Sequence, residues 1–159
     1  MNKVYKHRPK ARDELLGRVS ADGRVYESRL SPDKYVGRVE LESGKIFESR
    51  FGPDKHIGRV DIGTGKVYLK RLGPDEYLGR VEKDGKLYFH RSLARDEYLG
   101  KVTDMVSVTH GGGAFLLLLI PEIDKETQQA EQEEAKNEEQ ANAGLRNKKP
   151  AKGGAEQAG

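Results

Sequence analysis

The chain has 159 residues, with 29 Lys or Arg against 26 Asp or Glu and no cysteine. Its mean hydropathy of -0.82 is low for one packed globule and predicts that part of the chain is unfolded. The absence of cysteine excludes a disulfide framework and thiolate zinc sites. The first residues lack the apolar core of a secretory signal, so we expect a cytoplasmic protein.

One short motif, Gly-Arg-Val or Gly-Lys-Val, recurs five times along the chain. An apolar-aromatic pair, first seen at Val25-Tyr26, follows the first four copies at a similar distance. A regular period of this length is typical of repeat architectures. The five triplets begin at Gly17, Gly37, Gly58, Gly79 and Gly100, at spacings of 20 or 21 residues.

Each repeat has the features of a β-hairpin. Short Gly-containing stretches at 22–23, 42–44, 63–65 and 84–85 separate two strand-like runs, as tight hairpin loops require. Pro-Asp pairs such as Pro32-Asp33 predict turns between consecutive hairpins.

A two-residue loop in the first hairpin predicts the register of its strands. Pairing outward from this loop sets Val19 opposite Tyr26 and Arg18 opposite Glu27, so we expect cross-strand ion pairs on one face. Alternation of side chains then defines the other face, which has no obligatory charge and is the predicted core. This predicted core face carries Gly17, Val19, Tyr26, Ser28 and Leu30.

The two ends of the array carry complementary half-units. The residues from Val4 match a second strand without a first, and those from Leu99 match a first strand without a second. Pairing of the two half-units would close the array and remove both exposed edges, whereas an open solenoid, the alternative, would need capping at both ends. We therefore expect an all-β fold of five pseudo-symmetric β-hairpin repeats of about 20–21 residues, closed by its N- and C-terminal half-units, with a disordered C-terminal tail. The repeat pattern is compatible with two arrangements of the five units: they lie flat as petals, or they roll into a barrel.

In these residues the chain resembles the beta-flower proteins, bacterial repeat families of short hairpins with the pattern Gly-Arg-Val, turn, Gly-x-Val-Tyr, in four-fold and five-fold versions. The resemblance covers residues 3 to about 106 and rests on the five triplets in register with the turn glycines and aromatics. It extends to the small and apolar run from Gly111 to Ile120. It implies a fold of petals about a pseudo-symmetry axis, and it implies no activity and no catalytic or binding residue.

The sequence divides into three predicted parts: a closed repeat domain at 1–108, a Gly-rich hinge with an apolar segment at 109–121, and a disordered or transiently helical polar tail at 122–159. The apolar run 114–120 is too short to span a bilayer as a helix. We expect it to dock on the ring as a strand or short helix, with exposure to a protein partner or a second copy as the alternative. Its candidate partner-binding residues are Phe115, Leu116, Leu117, Leu118 and Leu119.

Two histidines are weak candidates for a metal site. His7 and His90 occupy the same repeat position, and closure would bring their units together. If that position faces the axis, the imidazoles would meet there, although carboxylate or further His ligands are lacking and ordinary polar filling is the alternative. Enzymatic motifs are absent and the prominent carboxylates recur in every repeat, so we expect no enzyme and no cofactor.

A series of cations is a weak candidate for contact with nucleic acid. In the predicted register the first two arginines pair with glutamates, and Arg59 and Arg80 are left without a carboxylate. The leading hypothesis is therefore a non-enzymatic structural or protein-interaction module with an unknown partner. A basic nucleic-acid-binding module is the alternative, and a ligand or metal site at the axis is the third. The cation series is Arg18, Arg38, Arg59, Arg80 and Lys101.

Overall fold

A computed structural model describes the backbone of residues 2–157 and the side chains of residues 2–145. Of the predicted polar tail at 122–159, the side chains beyond residue 145 lie outside the described residues. The chain divides into two compact units, Met1–Pro121 and Glu122–Gly159.

Ten antiparallel strands form one closed barrel within the compact part Met1–Pro121. Each strand pairs with its neighbours along the chain, and the first strand pairs with the last to complete the barrel. The predicted fold of five repeated hairpins, closed by its terminal half-units, is confirmed, and the units form a barrel. The strands are β1 (Asn2–Lys6), β2 (Glu14–Val19), β3 (Arg24–Glu27), β4 (Lys34–Val39), β5 (Lys45–Glu48), β6 (Lys55–Val60), β7 (Lys66–Leu69), β8 (Glu76–Val81), β9 (Lys86–Phe89) and β10 (Glu97–Val102).

The predicted register of the first hairpin is wrong by one residue. The Ser20 amide donates to the Arg24 carbonyl at 2.9 Å, so the loop between them has three residues rather than two. Arg18 consequently lies opposite Tyr26 and not opposite Glu27. A slip of one residue moves every side chain of the strand to the other face of the sheet.

Branched aliphatic side chains, not aromatics, line the barrel. Val19 and Val25 lie opposite one another and are fully buried. Of the predicted core face, Gly17 and Val19 do face the lumen, but Tyr26 lies on the outer wall and Leu30 is fully exposed in a loop. The equivalent inner pairs are Val39–Ile46, Val60–Val67, Val81–Leu87 and Val4–Val102.

A one-residue β-bulge recurs in every second strand. Between β3 and β4, Val25 pairs with Gly37 and Tyr26 pairs with Tyr35, which leaves Val36 as the extra residue. Because a bulge reverses the alternation of side chains, Gly37 faces the lumen while Tyr35 faces outward beside Tyr26. Equivalent bulges lie in β2, β6, β8 and β10.

The apolar segment fills the lumen as a helix. An α-helix, α1 (Val108–Ala114), runs into a π-helical turn (Phe115–Leu119) and then into α2 (Ile120–Gln157). We call residues 108–119 the central helix. Its residues 109–119 are buried, and α1 contacts β2, β4, β6 and β8, which belong to four units of the closed wall. The predicted docking is therefore observed in its helical form, inside the barrel.

Three glycines, predicted as a hinge, lie within α1 and let it approach the wall. A Cβ atom on Gly111 would lie 2.4 Å from Val81 Cγ1, and one on Gly112 would lie 2.4 Å from Val60 Cβ. Real Cβ atoms do not approach so closely, so these positions admit only hydrogen. Further along the helix, Phe115 packs on Gly79, two residues before Val81 in β8. The central helix thus runs from the hairpin-loop end of the barrel to the end where consecutive hairpins are joined.

In four of the five triplets, the glycine receives a side chain from the central helix. A Cβ atom on Gly58 would lie 2.2 Å from the Tyr68 carbonyl oxygen and 2.6 Å from Leu116 Cδ1. The strongest repeat signal in the sequence therefore reflects the close approach of both a neighbouring strand and the helix. The other pairs are Gly79 with Phe115, Gly37 with Leu117 and Gly17 with Leu118.

The π-helical turn matches the five-unit symmetry of the wall. Four successive residues from Phe115 to Leu118 reach β8, β6, β4 and β2, one unit per residue. An α-helix advances roughly 100° per residue, whereas five equal units are roughly 72° apart, so an α-helical turn would fall out of step. The wider i→i+5 pattern, in which the Ile120 amide donates to the Phe115 carbonyl, shortens the angular step.

The second unit is the helical continuation of the chain. Most side chains of α2 are exposed as far as residue 145, and its sequence is rich in the helix formers Glu, Gln, Ala and Lys. The segment was predicted to be disordered or transiently helical, and over the described residues it is a helix. Within the same residues, the structure has no helix that is both long and apolar enough to cross a membrane.

Candidate functional site

On the outer wall, an arginine of the triplet lies over an aromatic ring in four units. Arg18 Cζ is 4.1 Å from the centroid of Tyr26, and Arg18 Nε donates to Asp33 at 2.9 Å. This hydrogen bond lowers the pKa of Asp33 below its usual value. The same arrangement joins Arg38 with Phe47 and Asp54, Arg59 with Tyr68 and Asp75, and Arg80 with Tyr88 and Asp96.

The cross-strand Arg–Glu pairs predicted for the first two units are wrong. Glu27 lies 3.5 Å from Arg29 and does not pair with Arg18. Arg59 and Arg80, which were predicted to lack a carboxylate, each bind an aspartate of the next loop. The one-residue error in register moved the aromatic residue, rather than the glutamate, opposite the arginine. Glu48 likewise pairs with Arg50.

The fifth unit, formed by the two ends of the barrel, departs from this pattern. Lys101 Nζ lies 5.9 Å from the centroid of Tyr5, and the aspartate of this unit, Asp13, accepts a hydrogen bond from His7 Nδ1 at 3.2 Å. An ammonium group cannot stack flat on a ring as a guanidinium does. Of the five cations that are candidates for contact with nucleic acid, four are thus held by a ring and a carboxylate, and the fifth, Lys101, is exposed.

A second set of rings lies beside the first. Tyr35 is 5.7 Å from Tyr26 between centroids, and both rings are half-buried. Burial raises the pKa of Tyr35, Tyr77 and Tyr98 above the usual value. Equivalent contacts join Phe47 with His56, Tyr68 with Tyr77 and Tyr88 with Tyr98.

The two candidate metal-binding histidines lie on the outer wall and not at the axis. His7 bonds to Asp13, and His90 bonds to Asp96 at the same distance of 3.2 Å. The His7 ring also lies 5.1 Å from the Tyr98 ring. In the described part of the chain, no group of three or more His, Cys, Asp or Glu side chains could hold a metal ion.

The candidate partner-binding residues are buried in the lumen. Phe115 and Leu119 have no exposed surface, and Leu116, Leu117 and Leu118 are at most 6% exposed. A partner would reach these side chains only if the central helix left the barrel.

The hairpin-loop end of the barrel is closed by a buried histidine. His110 Nε2 donates to the Ala21 carbonyl at 3.2 Å, and the Ser107 hydroxyl donates to His110 Nδ1 at 3.0 Å. Both ring nitrogens are therefore satisfied inside the protein, and His110 fixes the start of the central helix against the first hairpin loop.

At the opposite end, the loops between hairpins carry fully exposed apolar side chains. The five connector loops are residues 7–13, 28–33, 49–54, 70–75 and 90–96. In four of them a large apolar residue follows the loop arginine, and no described part of the chain covers it. We call these residues the apolar tips: Leu30, Phe51, Leu72 and Leu93, with exposures of 112, 111, 112 and 100%.

The sequence predictions missed the apolar tips. Leu30 was placed on the core face, and the other three were not singled out. A signal was present, because Arg29-Leu30, Arg50-Phe51 and Arg71-Leu72 directly precede residues typical of turns. Turn tips favour Gly, Asn, Asp, Ser and Pro, so a large apolar residue repeated there is unusual.

The connector loops differ in charge. From the loop to the first residue of the next strand, 7–14, 28–34 and 49–55 each carry one more Lys or Arg than Asp or Glu, whereas 70–76 and 90–97 are balanced. The first three loops are neighbours in the closed barrel. We call these three loops, with Glu14, Lys34 and Lys55, the basic sector.

Comparison of the chain with protein-family models, with curated proteins and with solved structures gives no match. The closed barrel of repeated hairpins nevertheless fits a beta-flower-like architecture.

Proposed function

We propose that this protein is a non-enzymatic structural or interaction module in which a rigid barrel presents its connector loops to a binding surface. The observation that carries this proposal is the presence of four fully exposed large apolar side chains at one repeat position. These side chains contribute nothing to the core, which consists of the inner aliphatic residues and the central helix. Apolar groups concentrated on one part of a surface mark sites of association.

A non-enzymatic role is supported by the way the polar groups are used. The repeated aspartates accept hydrogen bonds from arginines or histidines of the wall, as at Asp33 and Asp75. An active site is an asymmetric constellation, whereas these contacts recur around the barrel. The apolar central helix occupies the axis, where the third hypothesis had placed a ligand or metal.

Membership in the beta-flower family and the bacterial origin that it implies belong to the same proposal. They are supported by the repeat pattern and by the closed barrel of hairpins. A cytoplasmic location is supported by the absence of cysteine.

Binding of nucleic acid by the wall arginines, the alternative hypothesis, has less support than association through the apolar tips. Arg18, Arg38, Arg59 and Arg80 each stack on a ring and bind an aspartate. A phosphate would have to displace that carboxylate. Binding of this kind would also weaken steeply with added salt.

The proposed function can be tested by density-gradient fractionation of fresh extracts from cells that express the full chain. We expect the native protein to migrate with large assemblies or membranes, and a variant without apolar tips to remain at the top as free protein. A control with Val106→Ser and Leu145→Ser removes exposed apolar groups elsewhere. Free migration of the native protein, or no difference between native and tip-free protein, would contradict the proposal. The tip-free variant carries Leu30→Ser, Phe51→Ser, Leu72→Ser and Leu93→Ser.

A further inference from the structure

The five connector loops together form the rim of the barrel at this end. We propose that the basic sector of this rim docks on an anionic lipid surface, with Leu30 and Phe51 inserted among the lipid headgroups. This inference rests on the proposed function and names the occupant of the binding surface.

The shape of the rim suits a fluid surface. Leu30 and Phe51 lie in separate loops and are as exposed as in an extended chain. Protein interfaces instead rest on clustered anchors that fill matching pockets. A lipid surface needs no such match, because each tip can insert independently of its neighbours.

The unpaired charges of the sector are positive. Lys34 and Lys55 stand directly after the turn aspartates, and Lys10 and Arg12 lie in the first loop. All four are exposed and form no ion pair with the described side chains. Lysine is depleted in protein interfaces, whereas near an anionic membrane each Lys or Arg strengthens binding by about fivefold.

The acidic groups of the sector are already engaged. Asp33 and Asp54 accept hydrogen bonds from Arg18 and Arg38, and Asp13 accepts one from His7. The glutamates near these loops are paired as well, Glu14 with Arg8, Glu27 with Arg29 and Glu48 with Arg50. The charge left to meet an anionic surface is therefore the lysines and Arg12.

The distribution of charge favours one side of the rim over the whole ring. The position held by Lys34 and Lys55 is Glu76 or Glu97 in the fourth and fifth units, where it pairs with the loop arginine. Two neighbouring loops of the sector combine an apolar tip with a lysine, Leu30 with Lys34 and Phe51 with Lys55, and the first loop adds Lys10 and Arg12. The sector therefore holds four exposed cations without an ion pair among the described side chains, against two, Lys70 and Arg95, in the other two loops.

Vesicle sedimentation of the purified full chain tests the apolar part of the proposal. We expect the protein to pellet with vesicles of phosphatidylcholine and phosphatidylserine, and about tenfold less with phosphatidylcholine alone. The double variant Leu30→Ser with Phe51→Ser should lose about tenfold or more of this binding. Its matched control is Leu72→Ser with Leu93→Ser, at the same repeat position outside the sector, which should bind within about twofold of the native protein.

Charge reversal tests the electrostatic part. Lys34→Glu with Lys55→Glu introduces the residue that other units already carry at this position, so the barrel should fold unchanged. We expect binding to phosphatidylserine vesicles to fall by more than about tenfold. The control Lys45→Glu with Lys83→Glu makes the same change of charge at the hairpin-loop end of the barrel and should leave binding unchanged.

Three results would overturn the lipid proposal. They are no binding to phosphatidylserine vesicles, equal losses in the two tip variants, or light scattering that shows a dimer dissociated by Leu30→Ser with Phe51→Ser. If tip substitutions still release the protein from large assemblies in extracts, the interaction module stands and its occupant is a protein. If no assembly is found in extracts either, the proposed function fails as well.

Discussion

Each arginine of the outer wall makes two contacts that a lysine cannot make together. Arg59 stacks on Tyr68 at 4.1 Å while its Nε donates to Asp75 at 3.1 Å. The guanidinium is planar and offers several donors, whereas an ammonium group is a compact point charge. The unit that carries Lys101 shows the difference, since its ring lies 5.9 Å away.

We expect Arg59→Lys to lower the free energy of unfolding by about 0.5–1 kcal/mol, because the stacking contact and the directed hydrogen bond are lost at a half-exposed site. Urea unfolding followed by circular dichroism measures the change. Arg24→Lys, at an exposed arginine that begins β3, is the control and should have a smaller effect. Equal effects of the two substitutions would show that the stack adds no stability.

The glycines of the central helix give a second prediction at the residue scale. Gly112→Ala places a Cβ atom 2.4 Å from Val60 Cβ, and we expect it to cost about 1–3 kcal/mol through overpacking, despite the better helix propensity of alanine. Gly144→Ala, where nothing lies within 4 Å, should be neutral or stabilising. Chemical denaturation compares the two. Adding Val60→Ala should recover part of the loss at Gly112, and a failure to recover would place its origin elsewhere.

The residue scale is also where prediction from sequence was least accurate. The presence of a hairpin loop at Asp22-Gly23 was correct, but its length was one residue short. That error reversed the faces of β3 and misassigned Tyr26 and the partner of Arg18. Because the aliphatic and aromatic residues of each second strand are adjacent, as in Val25-Tyr26, hydrophobicity alone does not decide which one faces the lumen.

At the scale of elements, the central helix serves as the core of the barrel. The inner wall consists mainly of valines, which are too short to fill a ten-stranded lumen alone, and the helix supplies Phe115 and four leucines. The compact part of the chain that contains the barrel therefore extends to Pro121.

A chain that ends at Val108 should consequently lose cooperative unfolding, because the inner valines would face water. A chain that ends at Leu145 keeps the central helix and should unfold with a midpoint close to that of the full protein. Thermal unfolding followed by circular dichroism distinguishes the two. A cooperative transition in the shorter chain would mean that the strands can form a core without the helix.

The strands could be predicted from the sequence, but the position of the helix could not. Repetition of the triplet revealed the hairpins, and the complementary half-units revealed the closure. The run from Gly111 to Gly113 was interpreted as a hinge, whereas it lies inside a helix, an element that glycine normally weakens. Only the distance between the valines and the helix axis makes glycine necessary there, and this distance is a property of the closed barrel.

At the scale of the whole molecule, hydrogen bonds to carboxylates predict sensitivity to acid. The Arg18 side chain lowers the pKa of Asp33, and the backbone amides of Thr64 and Gly63 lower that of Asp61. A carboxylate with a depressed folded-state pKa contributes stability above its unfolded value, near 3.9, and loses it as the pH falls through the folded value.

The midpoint of thermal unfolding should therefore decrease as the pH falls below about 4. In Asp33→Asn this decrease should be smaller, since one of the groups that bind protons on unfolding is gone. Differential scanning calorimetry between neutral pH and about pH 3 measures both curves. Glu131→Gln on α2 is the control and should reproduce the native slope. An unchanged slope in Asp33→Asn would show that its hydrogen bond does not contribute to acid stability.

Also at this scale, the candidate site depended on the fold. The sequence shows that Leu30, Phe51, Leu72 and Leu93 repeat, but a repeated leucine is as typical of a core as of a surface. Their exposure follows from the position of the connector loops beyond the ends of the strands. The difference between Lys34 and Glu76 at one repeat position also acquires meaning only when neighbouring loops are known to form one rim.

The position of the central helix after β10 has a consequence for biosynthesis. Each hairpin can form soon after it leaves the ribosome, because its contacts are local. The seam joins residues as far apart as Lys3 and Thr103, and the filling of the lumen is translated after the last strand. Until residue 119 has emerged, the nascent chain presents a band of inner valines that no helix yet covers, which makes this interval the one in which aggregation is most favoured.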